Sequence, residues 1–191
     1  MSEELCRKVV SALERRGYEA VFAKTAEEAA DMVMQEAEPA QSVGWGGSET
    51  LKEIGVRDRL LASGKEIRDH KLEMDLFLLS ANAITADGRI VNIDGNGNRV
   101  AASIFGPKRV VFVVGRNKIV DGGIDAAIDR IKREACPPNC RRLNKKTPCA
   151  ATGICADCSS PDRICSVTVV MDRRPSRTDV HVLLVDEDLG Y

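Results

Sequence analysis

The spacing of apolar residues along the chain switches between the three-to-four-residue rhythm of an amphipathic helix and the continuous runs of a buried strand. Leu5, Val9, Val10 and Leu13 form one apolar stripe of a first helix, which Gly17 stops, and Tyr18 to Ala23 reads as a short strand. Thr25 and Glu28 have capping-box spacing ahead of a helical face made by Ala26, Ala29, Ala30, Val33, Met34 and Ala37, and Pro39 closes that helix. The stretch QSVGWGGSETLKEIG, Gln41 to Gly55, reads as strand end, glycine turn and helix start. Thr50 and Glu53 repeat the capping spacing there, which puts the helix start near Ser48 to Thr50.

A helix through Leu60 and Leu61 stops at Gly64. Glu66 to Arg68 and Leu76 to Leu79 are short strand candidates. In ANAITADGRIVNID, Ile84 lies on one side of Asp87-Gly88 and Ile90, Val91 and Ile93 on the other, a hairpin pattern. A small-residue helix with Val100, Ala101, Ala102 and Ile104 follows. Arg109 to Val114, RVVFVV, is then a continuous apolar run of strand length, as expected for a strand buried on both faces of a parallel sheet. Gly122 to Ala135 is amphipathic, with Ile124, Ala127, Ile128 and Ile131 inward, and Val167 to Met171 and Val180 to Val185 read as closing strands. The acidic residues after Val185 read as an exposed tail.

Strands alternating with helices make an α/β fold, and 191 residues suit one domain with a substantial core, spanning 1–191. Lys plus Arg number 28 against 29 for Asp plus Glu, so net charge supplies no general attraction to nucleic acid or membrane, and seven aromatics leave few stacking platforms. No segment reaches the roughly 18 apolar residues of a membrane span and MSEELCRKVV lacks a signal-peptide run, so a cytoplasmic location is expected.

Two polar turns feed helix starts. Gly44, Gly46 and Gly47 precede Ser48, and Asp94, Gly95 and Asn98 lie ahead of the Val100 helix. Such turns either present backbone N–H groups to a carboxylate or phosphate, or simply make a tight strand-to-helix bend. Trp45 either walls a pocket or packs. Lys118 follows the RVVFVV strand, where ligands of open α/β sheets sit, and is either an anion partner or a solvated lysine. The histidines, His70 and His181, read as surface or strand-end residues.

The seven cysteines read as reduced thiols, and an odd count argues against a closed disulfide framework. Cys6 reads as a buried or half-buried helix residue. Cys149, Cys155, Cys158 and Cys165 fall in CAATGICADCSSPDRIC with C-x5-C-x2-C-x6-C spacing. The central C-x2-C lets two thiolates wrap one metal. Four thiolates without a nearby histidine favour zinc or an iron–sulfur cluster, and the basic run Arg141, Arg142, Lys145 and Lys146 complements the negative charge of either. Free or disulfide-linked thiols are the metal-free alternative. Cys136 and Cys140, spaced C-x3-C, open a cysteine-rich loop spanning 136–165 and are second ligands, replacement ligands, a local disulfide or two reduced thiols.

The segments VGWGGSETLKEIG, LFLLSANAITADGRIVNIDGNGNRVAASIFGPKRVVFVVGRNKIV, TPCAATGICADCSSPDRIC and VHVLLVDEDLGY, in that order, resemble the lactate-utilisation (LUD) domain family of LutC/YkgG-like proteins. The resemblance implies a NagB/RpiA/CoA-transferase-like sandwich with a mainly parallel sheet, here with a β-hairpin and a cysteine-rich metal loop. It implies binding of a small anionic metabolite, whether organic acid, sugar phosphate or CoA ester, in lactate or related organic acid metabolism. Some family members work beside iron–sulfur oxidoreductase partners, which favours an iron–sulfur cluster over zinc at the four cysteines. Carried onto this chain, Gly44, Gly46, Gly47 and Ser48 become the anion loop, and Asn82, Asp94, Gly95, Asn98 and Lys118 line the pocket opposite. Glu49 and Asp94 are the carboxylates in reach of a catalytic role, although Glu49 is equally a first-turn helix acid. The family pattern has residues other than cysteine at 136 and 140, so no role transfers to them. A fold alone does not fix chemistry. The chain is thus either a component of an organic acid oxidoreductase system or a non-catalytic sensing or assembly module stapled by zinc, and an oligomer is compatible with both.

Overall fold

In a computed structural model describing residues 2–68 and 72–191, two sheets share the strands. Along the chain run α1 (Ser2–Arg15), β1 (Glu19–Ala23), α2 (Ala26–Ala37), β2 (Ser42–Trp45), α3 (Glu49–Glu53), α4 (Val56–Ala62), β3 (Glu66–Arg68) and β4 (Leu76–Leu79). Then come β5 (Ala83–Thr85), β6 (Ile90–Asp94), α5 (Asn98–Ile104), β7 (Arg109–Gly115), β8 (Ile119–Val120), α6 (Ile124–Arg130), α7 (Cys136–Arg142), α8 (Pro148–Thr152), β9 (Val167–Met171) and β10 (Asp179–Val185). The six-stranded sheet has the order β1-β10-β7-β4-β2-β3 and is parallel throughout. The four-stranded sheet, β8-β5-β6-β9, contains the Asp87-Gly88 hairpin, with Gly88 at φ +88° in a turn that a side chain would strain. The fold is the α/β sandwich with a mainly parallel sheet that the sequence implied.

Alternation along β7 explains the layering. Val110, Phe112 and Val114 face a core shared with α1 and the hairpin, through Leu13, Ile84, Ile90 and Met171. Val111 and Val113 face the opposite core, made with Val33 of α2, Leu51 of α3 and Leu60 of α4. A strand buried on both faces reads as a continuous apolar run for this reason. The outer face of the small sheet is covered in turn by Ala127, Ile131 and Ala135, against Ala83, Val91 and Ile93.

Several elements differ from their sequence pattern. Leu5 is 41% exposed, and the buried stripe of α1 is Cys6, Val9 and Leu13, spaced i, i+3 and i+7. Leu61 likewise faces out while Leu60 is buried. The cap of α3 is Ser48, whose Oγ accepts from Leu51 N at 3.3 Å, and Thr50 instead donates its hydroxyl to Leu189 O at 3.1 Å. β10, the last strand of the chain, lies inside the sheet between β1 and β7. The segment after Val185 is not an exposed tail, although Asp188 itself is exposed: Asn117 Oδ1 accepts from Leu189 N at 3.2 Å, Glu53 accepts from Gly190 N at 2.7 Å, and Leu189 is buried. The helix begun at Ile124 does not end at Ala135. Pro137 and Pro138 cannot donate to the preceding turn, and the helix absorbs them through a wider π turn at Ile131–Ala135 before continuing to Arg142. Much of the stretch read as a cysteine loop is therefore helical. Among the described residues, no helix is long and apolar enough to cross a membrane.

His181, read as a surface or strand-end residue, is only 4% exposed although it is the third residue of β10. His70 lies outside the described residues. The His181 Nδ1 is 2.8 Å from Glu36 Oε1, its Nε2 is 3.0 Å from Glu19 Oε2, and Arg109 bridges Glu36 and Asp179. Burial opposes charge on the ring, but the Glu36 hydrogen bond and the charges of Glu36, Asp179 and Glu19 outweigh it and raise the pKa above 6.5. The folded state therefore holds the proton more tightly, so the stabilisation is full below pH 6.5 and is lost as pH rises through the folded pKa. His181→Gln is expected to lose roughly 1.5–3 kcal/mol at pH 6, the worth of a hydrogen bond to a charged group, and less at pH 9. Urea midpoints at the two pH values check this; a larger loss at pH 9 would contradict it.

Candidate functional site

All strands of the large sheet run parallel, so their carboxyl ends lie along one edge, and the segments leaving them define a cleft of about 510 Å³. Gly46 to Thr50 arrive from β2, Ser80 to Asn82 from β4, Lys118 from β7, and Tyr191 from the segment after β10. The end of β6 adds Asp94 and Gly95, and α5 adds Asn98 and Arg99. Eight of the nine expected ligand residues are thus brought together: Gly46, Gly47, Ser48, Asn82, Asp94, Gly95, Asn98 and Lys118. Gly44 is not on the cleft wall. A Cβ there would lie 1.8 Å from Met74 Sδ and 2.8 Å from the Phe77 ring, so this glycine serves packing.

The two polar turns use part of their donor capacity internally. Gly46 N donates to Leu78 O at 2.9 Å, extending the sheet ladder. Asp94 Oδ1 accepts from Gly95 N at 2.9 Å, and its Oδ2 from Arg99 N at 3.1 Å and Val100 N at 3.3 Å, so this carboxylate itself occupies the start of α5. Glu49 is ion-paired with Lys52 at 2.7 Å and Arg142 at 3.3 Å. Both candidate catalytic carboxylates thus hold local structure. The helices behind the turns span five residues (α3) and seven (α5), which limits their dipoles.

Positive charge enters instead through side chains. Arg99 donates to Asn92 Oδ1, Asn82 Oδ1 and Ile93 O at 2.9–3.0 Å and to Ser80 O at 3.3 Å. Those acceptors are neutral. Arg130, 8% exposed, donates to Asn117 O at 3.0 Å and Asn82 O at 2.9 Å. Asn82 is the hub: its Oδ1 also accepts from Ile93 N, its N donates to Asn92 Oδ1, and both bonds are 3.0 Å. Lys118, 4% exposed, donates from Nζ to Thr50 Oγ1 at 2.7 Å and Ser80 Oγ at 2.9 Å. Burial and the charge of Arg130, with a smaller push from Arg99, outweigh the pull of Glu53 and bring its pKa down from 10.5 to about 7. Arg142, Lys145 and Arg163 line the rim. A water-poor floor with cations on neutral acceptors attracts an anion.

The cysteine region forms the facing wall. Cys136, Asn139 and Pro161 to Ile164 line the same cleft. Ser166 N donates to Asp94 O at 2.9 Å, and a Cβ at Gly95 would lie 3.3 Å from the Ile164 backbone, so the loop lies directly over the Asp94 turn. Arg163 gathers the loop, donating to Cys158 O at 2.7 Å, Cys165 O at 2.9 Å and Asp157 Oδ1 at 3.0 Å. Cys149 is buried beneath it, with Sγ 3.3 Å from Thr147 Oγ1, and Cys155, Cys158 and Cys165 are half-buried. Cys136 lies within electrostatic reach of Cys165, Cys155, Cys140 and Cys149; burial first, then these neighbours, push its thiol up to about 12. No three thiols come within 4.8 Å of one another among the described residues, whereas a tetrahedral zinc with Zn–S near 2.3 Å spaces its sulfurs roughly 3.8 Å apart. As folded, the cysteines are not gathered into a three-thiolate group among the described residues.

Sequence reasoning missed Arg99, Arg130, Thr50, Ser80 and Tyr191. Arg130 carried a signal: it falls three residues after Ala127 and one before Ile131, both on the inward face of the helix. Arg99 was the only charged residue among the small and apolar residues of α5.

The sequence profile of the LUD domain matches residues 6–185. In overall structure the chain is similar to a DUF162-family protein from Deinococcus radiodurans, with a TM-score of 0.59 and 14% identity over 97% of this chain and 98% of that one, a likeness of fold. No curated protein matches the chain.

Between pH 7 and 10.5 the unfolded chain keeps a proton on Lys118 that the folded chain releases, so this group makes stability rise with pH across that window, and its cost is greatest below it. Lys118→Met removes the cost. Its stability relative to the parent, read from thermal or urea midpoints, is expected to be highest near pH 6 and to fall steadily toward pH 10. A pH-independent difference would mean that Lys118 titrates normally.

Proposed function

The chain belongs to the LUD-domain family, and on that premise we propose that it binds a small anionic metabolite, an organic acid or a phosphorylated relative, in the cleft at the carboxyl edge of the large sheet. One observation carries this reading: Lys118 and Arg99 line the cleft floor, with Arg130 behind them on Asn82 O, and all three donate their hydrogen bonds to neutral oxygens. Gly47 and Ser48 offer the wall on which the anion would rest, and Arg142 and Lys145 the rim that would draw it in. Lactate or a related organic acid is the family's suggestion for its identity.

The spacing of the cysteines supports a second component of the same reading, a thiolate-bound metal centre. Cys149, Cys155, Cys158 and Cys165 are its proposed ligands, in the order their spacing suggests. The preference for iron–sulfur over a zinc staple comes from the family's suggestion of iron–sulfur oxidoreductase partners. Such a cluster would supply one-electron chemistry. The protein's own contribution is to fold the loop around Arg163, to keep a cation by the thiolates, and to set this wall against the Asp94 turn.

Two measurements test the reading. At a hundredfold excess over Kd, an anion that binds only the folded chain stabilises it by about 2.7 kcal/mol, roughly 5–11 °C in Tm for a chain of this size. That shift is expected with small carboxylates or phosphates at low salt and should fall severalfold for Lys118→Met at equal ligand concentration. After anaerobic reconstitution with iron and sulfide, a visible absorption band is expected that is lost when Cys155 and Cys158 are both changed to Ser. A colourless protein carrying one zinc would favour the structural module instead, and no thermal shift with any anion would remove the cleft as a ligand site.

A further inference from the structure

We propose that Lys118 is a nucleophilic amine that forms an imine with the carbonyl carbon of a small anionic oxo compound, a proposal that rests on the anion-binding reading of the cleft. Its hydrogen bonds can be followed proton by proton. Thr50 gives its own hydroxyl proton to Leu189 O at 3.1 Å, and Ser80 gives its proton to Ala81 O at 3.3 Å. Both hydroxyls therefore meet Lys118 with lone pairs, and Nζ donates to them at 2.7 and 2.9 Å. A neutral amine has two N–H bonds and one lone pair. With both N–H bonds directed at Thr50 and Ser80, the lone pair takes a remaining tetrahedral direction.

The surroundings favour that neutral form. Among the described residues no carboxylate is ion-paired with Nζ; Glu53, the acid nearest in influence, accepts from Gly190 N at 2.7 Å. Arg130 and Arg99 add like charge, and a lysine that is desolvated or set beside other cations is the kind that attacks carbonyl carbon. Only glycine at 190 leaves room beside the amine: a Cβ there would lie 2.6 Å from Thr50 Oγ1 and 3.3 Å from Lys118 Nζ. A lysine serving only as a fixed positive charge would gain nothing from these features. The cations of the cleft would hold the substrate's carboxylate or phosphate, which makes an oxo acid or oxo phosphate the fitting class.

The step balances without an oxidant or reductant. The Nζ lone pair forms the C–N bond while the carbonyl π pair moves to oxygen, and one N–H proton passes to that oxygen to give a carbinolamine. The C–O bond then breaks, the hydroxyl leaves with the second N–H proton as water, and the C=N bond remains. The imine withdraws electrons from the adjacent carbon, so the chemistry it opens is bond making or breaking there.

Trapping with sodium cyanoborohydride tests this. Full-length protein is incubated with glyoxylate, pyruvate or 2-oxoglutarate, and the reduced adduct is located by peptide mass spectrometry. Modification is expected at Lys118 ahead of the surface lysines, with a rate that rises through pH 7 and not only near 10.5. Thr50→Val and Ser80→Ala are each expected to slow it roughly tenfold, the worth of one hydrogen bond. Lys118→Arg should abolish the site-specific adduct while keeping the thermal shift given by non-carbonyl anions. If such anions stabilise the protein but oxo acids modify only surface lysines, the imine is overturned and the anion cleft stands. If neither kind of anion stabilises the protein, the cleft reading fails and the imine with it.

Discussion

Burial of the large sheet on both faces is the constraint from which the rest of the molecule follows. From Val110 to Gly115 every residue of β7 is buried, and Val180 to Val185 of β10 beside it are buried as well. Along the middle of such a strand a polar side chain finds no partner, and the one polar side chain in these runs, His181, lies near its strand's start, within reach of Glu36 and Glu19. Polar chemistry is therefore pushed to the strand ends, and because the strands are parallel their carboxyl ends arrive together. Lys118, Ser80 and Thr50 each follow a different strand yet meet at hydrogen-bonding distance. At the opposite edge the strand starts collect Glu19, Arg109, Asp179 and His181, a charged lattice that ties three strands to Glu36 of α2.

The cleft is held in shape mainly by neutral groups. Asn82 receives Arg99 and the Ile93 amide on one oxygen and Arg130 on its carbonyl, so one short loop after β4 orients two guanidinium groups. A carboxylate in its place would cancel the charge that the floor presents. Asp94 has the complementary task, closing the start of α5 with its own oxygens and receiving Ser166 N on its carbonyl, which fastens the cysteine loop to the sheet. Anion floor and thiol wall thus share one turn.

Local patterns foretold much of this. The double-sided burial of β7, the hairpin at Asp87-Gly88 and the glycine and Asp94 turns all follow from short-range composition, and those turns converge as their place after strands suggested. What short-range reading could not deliver was the partner of each polar group. Ser48, Asp94 and Glu49 sit in ligand-like turns, but their oxygens are largely engaged by nearby amides and cations, a fact of geometry that spacing does not encode. Arg99 and Arg130 look like ordinary helix arginines until tertiary packing turns them inward. The residues after Val185 look solvated because acids usually are, yet their backbone closes over Thr50 and Asn117. The apolar pattern runs only to Ala135, whereas a π turn carries the helix onward through Pro137 and Pro138 and places Cys136 in the cleft wall.

If thiol wall and cation floor form one site, occupancy of one must alter affinity at the other, because two charged ligands sharing one turn are energetically coupled and the coupling is reciprocal. The most direct measurement is the calorimetric affinity of the protein for a single small carboxylate before and after anaerobic loading of the cysteines with iron and sulfide, under the same buffer and salt. A change of severalfold in Kd is expected, with the same factor appearing when metal affinity is measured with and without the anion. Identical affinities in the two states would show that the cysteines and the cleft act independently, and that their meeting at Asp94 is a matter of packing alone.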